Sequence, residues 1–372
     1  MSEAPLLQRT LYEDPGLIAA RLPLGEELGA LHPGGCFPLL EDPSRSARAC
    51  IIGMFVLRPA HAPWTEPLLD ATGLPESIYR ASGWCFNVKG THGGALIAAG
   101  NPLDAYRLAL QYGATDAVIV ASDTVAKEGV AHGSTRGYLW QPYGPPAWPQ
   151  LAGADPDLLG KILRQRAKWQ RLGLLSQRRY PAQIVVSQSG RRKDGMPDLL
   201  DAAIFSHKHP DGSPIEVYLL SSQAGAQRLR DRARARGTTL RIDHEILALS
   251  PRGEPEVLDV AAVPEMLRAH LDIRIADHDG GAIVMSKFAE AGALAQLNLT
   301  LMRGRSVREV LASTDRLEAA RREALLESFD DRAQLFFSGD HRLPRTLRPA
   351  YVIGNDGEGV VVTLDLRGAR GF

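Results

Sequence analysis

At 372 residues the chain has room for one large domain or two of ordinary size. Its 43 basic residues balance 43 acidic ones, so no global field draws it to nucleic acid or to an anionic membrane surface. No apolar run approaches the roughly 20 residues that cross a bilayer, the start lacks the basic and apolar regions of a signal peptide, and Cys36, Cys50 and Cys85 are too few and too scattered for a disulfide framework or a paired metal site. A cytoplasmic protein with no metal and a small-molecule substrate is the expectation.

Residues 1–80 are rich in Pro and Gly, with one strand pattern at 50–57 (CIIGMFVL), and read as an N-terminal extension to a core spanning 81–372. From Trp84 a β/α alternation begins: a strand at 84–90 (WCFNVKG), a helix at 102–113 ending on glycine, and a buried strand at 116–122 (DAVIVAS). The Gly-, Pro- and aromatic-rich stretch 129–156 predicts a long loop, and 157–173 a helix whose Lys and Arg residues form a solvated face. Strands follow at 182–188, 215–221 and 239–249, with a helix at 223–237 between the last two. The helix at 261–272 leads into 273–281 (IRIADHDGG), where the strand IRIA runs into a glycine pair, then come a helix at 282–292 and a strand at 295–302. A charged helical insertion at 303–330 and a terminal hairpin around Asn355-Asp356-Gly357 close the chain. Short apolar strands alternating with helices indicate a mainly parallel sheet covered on both faces.

The standard dinucleotide fingerprint, the P-loop, the zinc-deaminase ligand set and the GxSxG elbow are all absent. The remaining signals lie at the carboxyl ends of strands, where open α/β sheets bind ligands. Asp279-Gly280-Gly281 precedes a helix, where paired glycines let backbone N–H groups approach a phosphate, although a plain connecting turn has the same composition. Ser122, Asp123 and Thr124 follow the strand at 116–122, either as a helix cap or as donors to a ligand. Arg191, Arg192 and Lys193 follow the strand that ends near Ser187 and would suit a phosphate, although a solvated turn accounts for any one of them.

Taken in order, residues 102–129, 182–191, 217–222 and 275–301 resemble the reductase domain of riboflavin biosynthesis, and the resemblance spans roughly residues 84–302 plus the final hairpin. It implies a dihydrofolate-reductase-like α/β fold: a mostly parallel central sheet flanked by helices, with an antiparallel C-terminal hairpin. It further implies an NADPH-dependent reductase acting on a C=N or C=O bond of a small polar substrate, by likeness a ribosylaminopyrimidine phosphate or a related pteridine- or riboflavin-type intermediate. The cofactor-side positions it assigns are Ser122, Asp123, Thr124, Ser187, Ser221, Asp279, Gly280, Gly281 and Ala282. Glu128 and His92 match positions for substrate hydrogen bonding or proton delivery, and Thr91 and Arg136 positions for substrate. One departure stands out: with 91–94 (THGG) taken as the end of the first core strand, Gly93 replaces the family's aspartate. That loss favours an alternative, a non-catalytic ligand-binding or complex-forming relative. A homodimer is expected, because the apolar strands 295–302 and 359–366 would otherwise leave an exposed sheet edge.

Overall fold

A computed structural model of the chain describes residues 8–29, 35–59, 78–81, 84–87, 102–131, 157–192, 194–195, 197–206, 208–209, 211–237, 245–279, 281–302, 348–355 and 359–367. Strands are β1 (Gln8–Glu13), β2 (Ala20–Pro23), β3 (Cys36–Leu39), β4 (Cys50–Pro59), β5 (Ile78–Ala81), β6 (Trp84–Asn87) and β7 (Ala117–Ala121). They continue as β8 (Ala182–Val186), β9 (Val217–Ser221), β10 (Ile246–Ala248), β11 (Ile275–His278), β12 (Gln296–Met302), β13 (Arg348–Asn355) and β14 (Gly359–Asp365). The main helices are α1 (Pro102–Gly113), α2 (Ser122–Ala131), α3 (Leu158–Arg171), α4 (Gln223–Arg236), α5 (Val263–Leu271) and α6 (Gly281–Glu290).

The main sheet runs β1-β13-β14-β12-β4-β11-β7-β8-β9-β10. From β12 to β10 neighbouring strands are parallel. The β13–β14 hairpin and β1 extend it antiparallel. This is the α/β architecture expected above, a mostly parallel central sheet with an antiparallel C-terminal hairpin. The inner strands are apolar on both faces because both are covered: β8 (AQIVV) is buried at every position. On one face α5 and α6 pack Leu267, Met285 and Phe288 against Ile51, Ile119 and Ile184. On the other, α1 and α3 cover Cys50, Ile52 and Ile275, while α2 and α4 cover Val120, Val185 and Leu219.

Three expectations are corrected. Residues 1–80 are no appendage at their strand: β4 lies between β12 and β11 at the centre of the sheet. Leu22, Leu28 and Phe37 also join Ile162 and Trp169 in one core cluster, and the Trp169 indole donates to the Pro23 carbonyl at 2.8 Å. The first core strand is therefore β4 and not 84–90. β6 pairs antiparallel with the far end of β4 and with β5, so the reading of Gly93 as a replaced aspartate loses its frame. Of the strand expected over 239–249, Ile246–Ala248 is strand, and residues 239–244 lie outside the described residues. Finally, β12 and β14 are internal strands, flanked by β4 and β13, and β1 covers β13. The edge that motivated a homodimer is thus already filled from within the chain. The loop at 132–156, the insertion at 303–330 and the tip of the hairpin lie outside the described residues.

Candidate ligand-binding site

β7 and β11 are adjacent and parallel, yet the helices that follow them leave to opposite faces. Val125 of α2 packs on Val120 and Val185, whereas Phe288 of α6 packs on Ile119 and Ala276. A crevice opens at the carboxyl ends of strands wherever connections diverge in this way. Asp279 follows β11 at this point, its N–H donating to the Ile119 carbonyl at 2.9 Å and its carboxylate accepting from the Tyr112 hydroxyl.

One strand further along, a solvent-open cleft lies at the ends of β7 and β8. Ser122 and Asp123, in the first turn of α2, line it together with Ser187, Arg191, Arg192 and Arg232. The expected cap or loop at 121–129 is thus the start of a helix, whose first N–H groups have no intrahelical partners. Helix end, hydroxyls and guanidinium groups together make an anion-accepting surface. Asp198, buried and paired with Arg232 and with Arg236, neutralises part of that charge.

The turn after β8 is built tightly. Gly190 has φ +59°, and a Cβ there would stand 2.1 Å from the Gly225 carbonyl oxygen of α4. A Cβ on Gly225 would in turn meet Ser221 Oγ at 2.2 Å. The Ser221 hydroxyl donates to the carbonyls of Ser187 and Gln188, and Arg232 donates to the Gly190 carbonyl at 2.7 Å. Lys287 of α6 reaches the Gln188 side chain at 3.0 Å, tying this turn to the helix after β11.

The structure gathers Ser122, Asp123 and Ser187 at one cleft; Thr124 shares the first turn of α2 and is partly exposed. Ser221 is displaced from its expected role, because it is fully buried and its hydroxyl is spent on the turn, so it supports the cleft and does not line it. Asp279 lies at the neighbouring crevice, and Gly281 and Ala282 open α6. Glu128 lies within α2. Gly280, Thr91, His92, Arg136 and Lys193 fall outside the described residues. Sequence reasoning missed Arg232, Gly190 and Gly225; the Ser-Gly before Arg191 was the available signal for the turn. It also missed Asp277, fully buried beside Gln111, whose carboxyl is pushed well above the usual carboxylate range by burial and then by the charge of Asp279. His278, its neighbour on the opposite face, is pushed down to about 4 by burial.

No family model and no curated protein matches the chain. Among solved structures it is similar to a pyrimidine reductase-like protein from Corynebacterium diphtheriae, at 15% identity and a TM-score of 0.41, over 85% of this chain and 91% of that one. It is also similar to a riboflavin biosynthesis reductase of Saccharomyces cerevisiae, at 8% identity and a TM-score of 0.38, over 86% and 91%. A third likeness is to RibD of Acinetobacter baumannii, at 13% identity and a TM-score of 0.37, over 86% of this chain and 58% of that one. Among the described residues, no helix is long and apolar enough to cross a membrane.

Proposed function

We propose that the chain is an NADPH-dependent reductase of a small polar substrate, by resemblance a ribosylaminopyrimidine phosphate or a related intermediate. The observation that carries this reading is the convergence, on one cleft at the carboxyl edge, of residues from separate segments that the sequence singled out: Ser122 and Asp123 from one, Ser187, Arg191 and Arg192 from another. The residues present fit a phosphorylated dinucleotide. Arg191, Arg192 and Arg232 would hold the phosphate of its adenosine half, Ser122 and the N-terminal turn of α2 would donate to it, and Gly281 would open α6 toward the pyrophosphate. When bound, NADPH supplies hydride. The protein's own contribution is orientation and charge, with Glu128 and His92 assigned to substrate hydrogen bonding or proton delivery and Thr91 and Arg136 to substrate contact.

The test is thermal denaturation of the whole chain with NADPH and, separately, NADH. A ligand at about 100 times its Kd stabilises by about 2.7 kcal/mol, and NADPH is expected to reach this at lower concentration than NADH because a charge-assisted contact to the extra phosphate is worth about 1.5–3 kcal/mol. Equal shifts from the two would remove the phosphate assignment, and no shift from either would remove the dinucleotide. NADPH binding without turnover on any reducible substrate would favour the non-catalytic alternative.

A further inference from the structure

A chain of buried polar side chains runs under α1, and two backbone contacts set its direction. The Leu40 N–H can only donate, and it donates to Gln296 Oε1 at 3.0 Å. The Pro38 carbonyl can only accept, and it takes the other end of the same amide, Nε2, at 3.5 Å. Gln296 therefore presents Nε2 to Asn298 Oδ1, at 3.4 Å. Asn298 must then turn Nδ2 to Gln111 Oε1, at 2.7 Å, and Gln111 is left to donate Nε2 to Asp277 Oδ1. The oxygen of Asp277 that meets Gln111 is thus an acceptor, and any proton on this carboxyl sits on Oδ2.

Asp277 is 0% exposed, and its Oδ2 has no hydrogen-bond partner among the described residues. An ionised carboxylate there would be poorly compensated. The titratable groups on the same face are Arg107 and Tyr112 of α1, Cys50 of β4 and Asp279; the charge that acts on Asp277 is that of Asp279, of its own sign. Burial and that charge outweigh the hydrogen bonds from Gln111 and the His278 backbone. His278 lies on the opposite face, edge-on to Phe288, and its pKa of about 4 leaves it uncharged at neutral pH.

The β7–β11 ladder continues past His278, since the Asp279 N–H donates to the Ile119 carbonyl at 2.9 Å. Alternation then puts Asp277 and Asp279 on one face, with Cα atoms about 7 Å apart. Consecutive residues of α1 meet them there, Gln111 donating to Asp277 and Tyr112 to Asp279. Asp277 is sealed, whereas Asp279 is half-buried at the crevice.

We infer that Asp277 stores the proton that the proposed reduction consumes: it stands neutral, with its proton on Oδ2, and Asp279 passes that proton on at the crevice. The inference rests on the reductase reading. When hydride adds to the carbon of C=N or C=O, the electron pair of the broken π bond stays on nitrogen or oxygen and takes a proton. A carboxyl O–H breaks, an N–H or O–H forms, and the two carboxylates, now both charged, regain one proton from water. Asp277 acts through Asp279 and is a positioning residue.

Infrared spectroscopy on the full chain without cofactor reads the stored proton directly. The carbonyl stretch of a protonated carboxyl, identified by its shift on 13C labelling of aspartate, is expected at neutral pH in the parent. It should vanish in Asp277→Asn, which keeps an acceptor for Gln111 and an N–H in place of the O–H. In Asp279→Asn it should titrate about one pH unit lower, because the like charge is gone. No such band in the parent, or its survival in Asp277→Asn, overturns the storage, and an unmoved midpoint in Asp279→Asn overturns the pairing. If Asp277→Asn does not fold, the parent and Asp279→Asn decide the matter. With NADPH and a reducible substrate, Asp277→Asn is expected to lower kcat at least about tenfold at unchanged KM and to alter its pH profile. A parental kcat and profile would overturn the delivery role. The infrared result needs no cofactor, so a failure to bind NADPH removes the reductase reading without being mistaken for a failure of the stored proton.

Discussion

The cleft at the ends of β7 and β8 carries its charge at the surface, with Arg191 and Arg192 exposed, whereas the interior under α1 holds Arg107 almost wholly buried. The cleft depends on a backbone turn held in place by close packing, Gly190 against Gly225. The interior under α1 depends on a side-chain hydrogen-bond chain that starts at the Leu40 N–H, passes through Gln296, Asn298 and Gln111 and ends on buried Asp277. The contrast teaches that polar groups on one sheet serve two ends: exposed guanidinium groups remain open to solvent and are screened by salt, whereas buried ones are held in a hydrogen-bond chain that salt reaches poorly.

The largest expected effect breaks the cleft's backbone. Gly190→Ala would put a methyl 2.1 Å from a carbonyl oxygen at a φ of +59°, and a loss of about 4 kcal/mol or more is expected in urea denaturation. Gly195→Ala is the control: its φ is +73° but no atom lies within 4 Å of the added carbon, so only conformational strain, about 1 kcal/mol, is expected. Equal losses at the two sites would mean that the contact with α4 does not hold the turn.

A smaller effect separates the two faces of β11. His278 has a pKa lowered to about 4 from an ordinary 6.5, so the unfolded chain binds the proton more readily. Its contribution to stability is present above pH 6.5 and is lost as pH falls toward 4, about 3 kcal/mol in all at 1.36 kcal/mol per unit. Asp277, raised by burial, has the opposite sign: its contribution is complete at low pH and is lost as pH rises through its folded pKa. His278→Leu should therefore flatten the acid limb of stability against pH, and Asp277→Asn, which keeps an acceptor for Gln111, should remove the loss that sets in as pH rises above the ordinary carboxylate range. An unchanged acid limb in His278→Leu would place the acid sensitivity elsewhere, with buried His209 the next group to test.

The smallest effect concerns the exposed charges. Arg191→Ala and Arg192→Ala are each expected to weaken NADPH binding by about tenfold at low salt, with the difference shrinking at high ionic strength and the melting temperature unchanged. A difference that persists undiminished at high ionic strength would mean that the two guanidinium groups do not act through exposed charge.

Much of the fold was legible locally. The strands at 182–188 and 215–221, the helix at 223–237 with its left-handed Gly237 cap and the terminal hairpin are set by apolar runs, glycine and Asn-Asp-Gly. The polar residues that meet at the cleft, Ser122, Asp123 and Ser187, were legible too, because they follow strand ends. The place of β4 was not, since an apolar strand reads alike at the edge and at the centre of a sheet, and its partners β11 and β12 arrive more than two hundred residues later.

The sequence by itself determined the alternation of strands and helices, the balance of charge and the clustering of Ser, Asp and Arg just past strand ends, because these depend on side chains a few positions apart. Only the tertiary structure decided which of them meet. Ser221 turned inward because the turn after β8 needed its hydroxyl, Arg232 entered the cleft because α4 packs beside that turn, and Asp277 came to end a polar chain because Gln111, Asn298 and Gln296 converge from distant segments. Hydrogen-bond direction and burial are properties of contacts across the sheet, and no local pattern encodes them.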